Sequence, residues 1–136
     1  MLASCKMPTI LLVEDDVRLA QVLSRVLSRA GYAVDWALHA ASALRDRDGV
    51  PAIALIDLHL LDGNGVDLAG ELRVRYPNLP MLLMTACPFR LQERPDGARY
   101  FRQVLSKPLD LTLLRAAIAA ALNEENHAND IATCAC

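Results

Sequence analysis

Aromatic residues are scarce in this sequence, with one tryptophan, three tyrosines and two phenylalanines among 136 residues. An interior must therefore be assembled from Leu, Val, Ile and Ala, which supply most of the 54% apolar content. No apolar run approaches the roughly 18 residues that a membrane-spanning helix needs. The opening "MLASC" has no basic segment or long apolar stretch before it, so no cleavable signal is expected there. A basic excess is also missing: 14 Lys and Arg face 16 Asp and Glu, for a formal charge of −2. That argues against direct nucleic-acid binding through a basic surface, which draws on clustered cations. Cysteine is sparse as well. Cys5, Cys87, Cys134 and Cys136 suggest no disulfide framework, and a chain of this length folds without staples. A reduced, cytoplasmic setting is expected, with the closing "CAC" read as frayed tail. His39, His59 and His127 share no metal-ligand spacing with another His or Cys, so zinc is not expected. No glycine-rich phosphate loop ending in Lys-Ser/Thr occurs.

What the sequence does contain is alternation. "TILLV", 9–13, is short, apolar and suited to a strand buried on both faces. Leu19, Leu23, Val26, Leu27 and Ala30 then recur at helical spacing, with Asp16 as N-cap and Gly31 as stop. "YAVDWA", 32–37, reads as a second strand, and "HAASALRDRD" as a short helix ended by Gly49-Val50-Pro51. "AIALID" is a third strand and "GVDLAGELRVRY" a third helix. "PMLLMTA" is a fourth strand, "RQVLSK" a fifth, and "DLTLLRAAIAAALNEEN" a last helix. Between the last two strands, Pro88 and Pro95-Asp96-Gly97 allow only a short or irregular fourth helix. The pattern predicts one α/β domain over 8–123, with a leader over 1–7 and a polar tail over 124–136. Its sheet should be five-stranded, parallel and doubly wound, with helices on both faces.

In such a sheet the site lies beyond the carboxyl ends of the strands. Those ends carry Glu14, Asp15 and Asp16, then Asp57, Thr85 and Lys107. Adjacent strands lie about 4.8 Å apart, so these residues converge. Clustered carboxylates repel one another, and an all-oxygen ligand set suits Mg²⁺. With Mg²⁺ and the Lys107 ammonium spreading charge, Asp57 reads as a nucleophile that forms an aspartyl phosphate. Thr85 is suited to bonding a phosphoryl oxygen.

The stretches "ILLVEDDVRLA", "LIDLHLLDGNGVDL", "MLLMTA" and "VLSKPLDLTLL" resemble the receiver domain of two-component response regulators. The spacings are 42 residues from Asp15 to Asp57, 28 to Thr85 and 22 to Lys107. The resemblance implies a flavodoxin-like sheet of order 2-1-3-4-5. It implies that Asp57 takes a phosphoryl group from the phosphohistidine of a sensor histidine kinase or phosphotransfer protein. The implied Mg²⁺ ligands are Asp15, Asp57 and the backbone carbonyl of His59, with Glu14 acting through water and Asp16 completing the acidic pocket. Thr85 and Lys107 are the implied phosphoryl-binding pair, and the Lys107–Pro108 peptide is expected to be cis. Such a protein signals to a downstream protein, with a homodimer possible, and is not a turnover enzyme.

Three positions depart from the family pattern. Val104 stands where an aromatic usually lies, Leu61 where a proline often follows the aspartate, and the fourth helix is truncated. These departures keep open a phosphate-independent interaction module. A dehalogenase-type phosphatase fits less well, because its second aspartate is replaced by His59.

Overall fold

A computed structural model of the chain describes residues 7–128, with side chains through residue 123. Most of the leader, the end of the tail, Cys5, Cys134 and Cys136 lie outside the described residues. In chain order the elements are β1 (Thr9–Val13), α1 (Val17–Arg29), β2 (Ala33–Ala37), α2 (Ala40–Ala43) and β3 (Ile53–Asp57). A two-rung hairpin of β4 (His59–Leu60) and β5 (Gly63–Asn64) precedes α3 (Gly65–Arg75) and β6 (Met81–Thr85). Two 3₁₀ helices, Pro88–Glu93 and Pro95–Tyr100, lead to β7 (Gln103–Ser106) and α4 (Leu111–Ala128).

The main sheet is parallel, in the order β2-β1-β3-β6-β7. With the small hairpin set aside, that is the expected order 2-1-3-4-5. Successive side chains of a strand point to opposite faces, and both faces are apolar here. Ile10, Leu12, Ile53, Leu55, Leu82 and Met84 meet Leu23 and Leu27 of α1 and Leu114 and Ile118 of α4. Leu11, Val13, Ala54, Ile56 and Met81 meet Ala43 of α2 and Leu68, Ala69 and Leu72 of α3. This double burial explains why the central strands read as unbroken apolar runs. Each fully buried leucine contributes roughly 1.5–3 kcal/mol relative to exposure.

Helix starts follow the expected chemistry. Asp16 Oδ1 accepts from the Arg18 and Leu19 amides at 3.0 and 3.2 Å, capping α1. At the other end Gly31 has φ of 100°, a conformation that suits glycine. The second helix is shorter than its sequence suggests and stops at Ala43 rather than at Gly49. The Arg47 guanidinium folds back to donate to the Ala43 carbonyl at 2.7 Å and to Asp35 Oδ2 at 2.8 Å. It thereby takes a carbonyl that a longer helix would bond through the Arg47 amide.

The segment 88–101 forms two short 3₁₀ turns, each opening on a proline. The second turn docks on α3. A Cβ at Gly97 would lie 2.4 Å from Val66 Cγ1, so only glycine fits this approach. Arg94 pairs with Asp67 at 2.8 Å, and Tyr100 packs against Leu58, Val66 and Leu83. Beyond it, Val104 of β7 and Leu113 of α4 are exposed.

Candidate functional site

The acidic site is built from strand ends. Glu14 and Asp15 follow β1, Asp57 is the last residue of β3, Thr85 the last of β6, and Lys107 follows β7. The parallel register aligns these ends: Val13 pairs with Ile56, Asp57 with Met84, and Thr85 with Ser106. Apolar residues drive each strand into the core, and the first polar residue emerges at the shared edge.

Glu14 is fully buried. Its Oε1 accepts from Lys107 Nζ at 2.9 Å and its Oε2 from the Asp16 amide at 3.1 Å. Lys107 Nζ also lies 3.2 Å from Asp57 Oδ2, so one ammonium bridges two carboxylates. Burial pushes the Glu14 carboxyl up to about 7; Lys107 works against this rise and nearby Asp57 adds to it. Burial alone would lower Lys107, but Glu14 and Asp57 outweigh it and hold the ammonium above its usual range.

One carboxylate oxygen from each of Glu14, Asp15 and Asp57 lies within 4.8 Å of the others. Lys107 pairs with two of these three acids, Glu14 and Asp57, and every side-chain donor in the group is oxygen. That set fits a small divalent cation such as Mg²⁺. Asp16 is not in the group: its exposed carboxylate is engaged in capping α1. The His59 amide donates to Asp57 Oδ1 at 3.4 Å, while the residue itself is exposed on β4.

Thr85 is buried. Its hydroxyl accepts from the Cys87 amide at 3.0 Å and its carbonyl from the Lys107 amide at 2.8 Å. The Lys107–Pro108 peptide is cis. Val104 sits on β7, three residues before the lysine.

Three supporting residues escaped the sequence reading. Gly65 lies directly on the main chain of Asp57, where a Cβ would fall 2.4 Å from the carbonyl oxygen. The glycine pair after Asp57 is the only trace of this in the sequence. Asn64 caps α3, its Oδ1 accepting from the Val66 amide at 2.7 Å. Trp36, the sole tryptophan, donates its indole N–H to the Glu14 carbonyl at 2.9 Å. A polar tip on a half-buried ring usually needs such a partner, but nothing local names it.

Comparison with known proteins agrees with this architecture. The family model described as the response regulator receiver domain matches residues 10–119. The DNA-binding transcriptional regulator NtrC of Bradyrhizobium sp. (strain RP501 Parasponia) is 35% identical over 117 residues, covering 85% of this chain and 24% of that protein. The transcriptional regulatory protein QseB of Escherichia coli O157:H7 is 32% identical, covering 86% of this chain and 54% of that protein. The chain thus spans about a quarter to a half of these curated relatives. Among solved structures, the non-phosphorylated HemR receiver domain from Leptospira biflexa superposes with a TM-score of 0.75 at 34% identity, covering 85% of this chain and 94% of that one. The response regulator TrrA from Thermotoga maritima, solved in complex with Mg(2+)-BeF, shares the fold with a TM-score of 0.76 at 23% identity, covering 85% and 100%. No described helix is long and apolar enough to cross a membrane. With its parallel sheet, its acidic strand ends and a family match over most of its length, the chain belongs to the response regulator receiver domain family.

Proposed function

We propose that this chain is a phosphorylation-controlled switch in which Asp57 is the phosphoacceptor. The observation that carries the reading is the meeting of Asp57, Asp15 and Glu14 within 4.8 Å, with Lys107 Nζ 3.2 Å from Asp57. Asp15, Asp57 and the His59 carbonyl would hold Mg²⁺, with Glu14 acting through water. When bound, the cation supplies positive charge against the transferring phosphoryl group.

An Asp57 carboxylate oxygen attacks the phosphorus of a phosphohistidine on a sensor kinase or phosphotransfer protein. The P–N bond breaks, the imidazole leaves with the electron pair and takes up a proton, and Asp57 carries an acyl phosphate. Lys107 moves its ammonium charge from the carboxylate pair toward the phosphoryl oxygens. Because Thr85 Oγ accepts from Cys87, its own proton is left to donate to one of those oxygens. Attack by water on phosphorus later restores the carboxylate, so the chain ends each cycle as it began without turning over an external substrate. A cleft of about 530 Å³ beside Lys107, lined by Leu19, Val22, Pro108 and Leu109, gives the incoming donor an apolar footing. The added charge, roughly −1.5 to −2, then changes affinity for a downstream protein or a second copy of the chain. This reading places the protein in the cytoplasm.

Incubation with acetyl phosphate and Mg²⁺, followed by intact-mass measurement, tests the proposal. A gain of one phosphate is expected in the wild type and none in Asp57→Ala. No gain in the wild type would refute the switch.

The 3₁₀ pair favours a second reading, a phosphate-independent interaction module. It is fastened to α3 through Gly97 and Arg94, and Val104 offers no ring to swing inward. NMR spectra with and without beryllofluoride decide between the two. Shifts across 87–104 support the switch, and shifts confined to residues beside Asp57 support the module.

A further inference from the structure

Trp36 has no part in the chemistry above, yet it reaches the acidic turn. Strand β2 bonds both main-chain polar groups of Glu14. The Glu14 amide donates to the Ala37 carbonyl at 3.2 Å, continuing the ladder of Val13 and Ala37. The Glu14 carbonyl is bonded differently, by a side chain, the Trp36 indole N–H at 2.9 Å.

That carbonyl belongs to the peptide plane joining Glu14 to Asp15. A trans peptide is rigid, so fixing its carbonyl fixes where the Asp15 Cα stands. The two acids differ in how their carboxylates are held. Glu14 is gripped by Lys107 and by the Asp16 amide. The structure shows no hydrogen bond or ion pair to the Asp15 carboxylate among the described residues, yet it lies within the three-acid group. Its placement depends on its main chain, and metal ligands tolerate errors of only about 0.2 Å.

We propose that Trp36 is a positioning residue for the metal site. Its indole N–H locks the Glu14–Asp15 peptide so that the Asp15 carboxylate faces Asp57. The rest of the ring is held independently of that bond. It packs against the core on the α1 face of the sheet and borders a cleft lined by Gln21, Ser24, Arg25 and Ser28. A substitution that keeps the ring's shape therefore isolates the N–H. The proposal rests on the reading that Asp15 is a Mg²⁺ ligand, and the experiment separates the two.

With one tryptophan in the chain, the ¹H–¹⁵N spectrum holds one indole signal. In a Mg²⁺ titration this signal should move with the same dissociation constant as the Asp15 amide. Replacing Trp36 by 3-benzothienylalanine keeps the ring's shape and puts sulfur in place of the N–H. Mg²⁺ binding, followed by the Asp15 and Asp57 amides, should weaken about tenfold, the low end for loss of a residue that orients a ligand. Trp36→Phe should weaken it at least as much. Normal Mg²⁺ binding by the benzothienyl variant, or an indole signal indifferent to Mg²⁺, would overturn the proposal and leave the metal site intact. A wild type whose Asp15 and Asp57 amides ignore Mg²⁺ would overturn the metal reading and this inference with it.

Discussion

Replacing Lys107 by Met tests the electrostatics of the site most directly, because it removes the ammonium and keeps an apolar stem of similar length. In the wild type that ammonium sits 2.9 Å from Glu14 Oε1 and 3.2 Å from Asp57 Oδ2. Both acids are buried, Glu14 completely. Removing one partner of a buried ion pair costs about 3–5 kcal/mol. The Lys107 side chain keeps 20% of its exposure, so part of that charge already faces water and the expected loss at pH 8 is about 2–3 kcal/mol. The loss must depend on pH. Glu14 titrates near 7 in the folded protein because burial disfavours its charge. At pH 5 it is neutral in both proteins, so Lys107→Met forfeits only the Asp57 contact. The expected loss there is about half as large, on the order of 1 kcal/mol. Urea unfolding without Mg²⁺ measures both. At a slope of about 2 kcal/mol/M the midpoint should fall by about 1–1.5 M at pH 8 and by roughly half that at pH 5. An equal drop at the two pH values, or a larger one at pH 5, would refute the pairing argument. With acetyl phosphate and Mg²⁺, the variant should still take up phosphate but fail to change partner affinity; a normal response would count against the role given to Lys107.

Three further expectations follow from the geometry. Asp15→Ala should abolish Mg²⁺-dependent phosphate uptake by intact mass while leaving the melting temperature unchanged or higher, since it relieves repulsion among three acids; a marked fall in melting temperature would contradict this. Gly65→Ala should cost about 2–4 kcal/mol in urea unfolding and slow phosphate uptake, because the new Cβ meets the Asp57 carbonyl oxygen at 2.4 Å and main chain must give way; wild-type stability would show that the hairpin yields freely. For the Mg²⁺-free protein the sign of the Glu14 contribution is that of a raised carboxyl. The folded state holds its proton up to about 7 and the unfolded chain releases it near 4.5. The contribution is therefore fully present below about 4.5 and lost as pH rises through about 7, and Glu14→Gln should flatten that slope in a pH series of unfolding midpoints.

The legible parts of the molecule are those governed by short-range pattern. β1 and β3 are buried on both faces, so they appear as uninterrupted apolar runs that stop at an acid, and the stop marks the site. The two prolines at 88 and 95 likewise announce a broken helix. The illegible parts are set by contacts between distant residues. The length of α2 depends on Arg47 reaching Asp35 and the Ala43 carbonyl, and nothing in "HAASALRDRD" reveals that return. Asp16 sits in an acidic run that suits both a metal and a helix cap, and only the fold shows which of these its carboxylate serves. The bond from Trp36 to Glu14 joins residues 22 apart, and the fit of Gly97 against Val66 depends on where a loop lands.

Glu14 is tied at once to both margins of the sheet. Its main chain is bonded to Ala37 and Trp36 of β2, the strand at one edge. Its carboxylate is bonded to Lys107, which follows β7 at the other. Two strands with three others between them are thus clasped by a single buried residue, through its main chain on one side and its carboxylate on the other. Fraying at either margin loosens the same residue, so the outermost strands lose their independence and open together with the acidic turn. A cation seated beside Glu14 would tighten both margins, and amide exchange in β2 and β7 should slow in step.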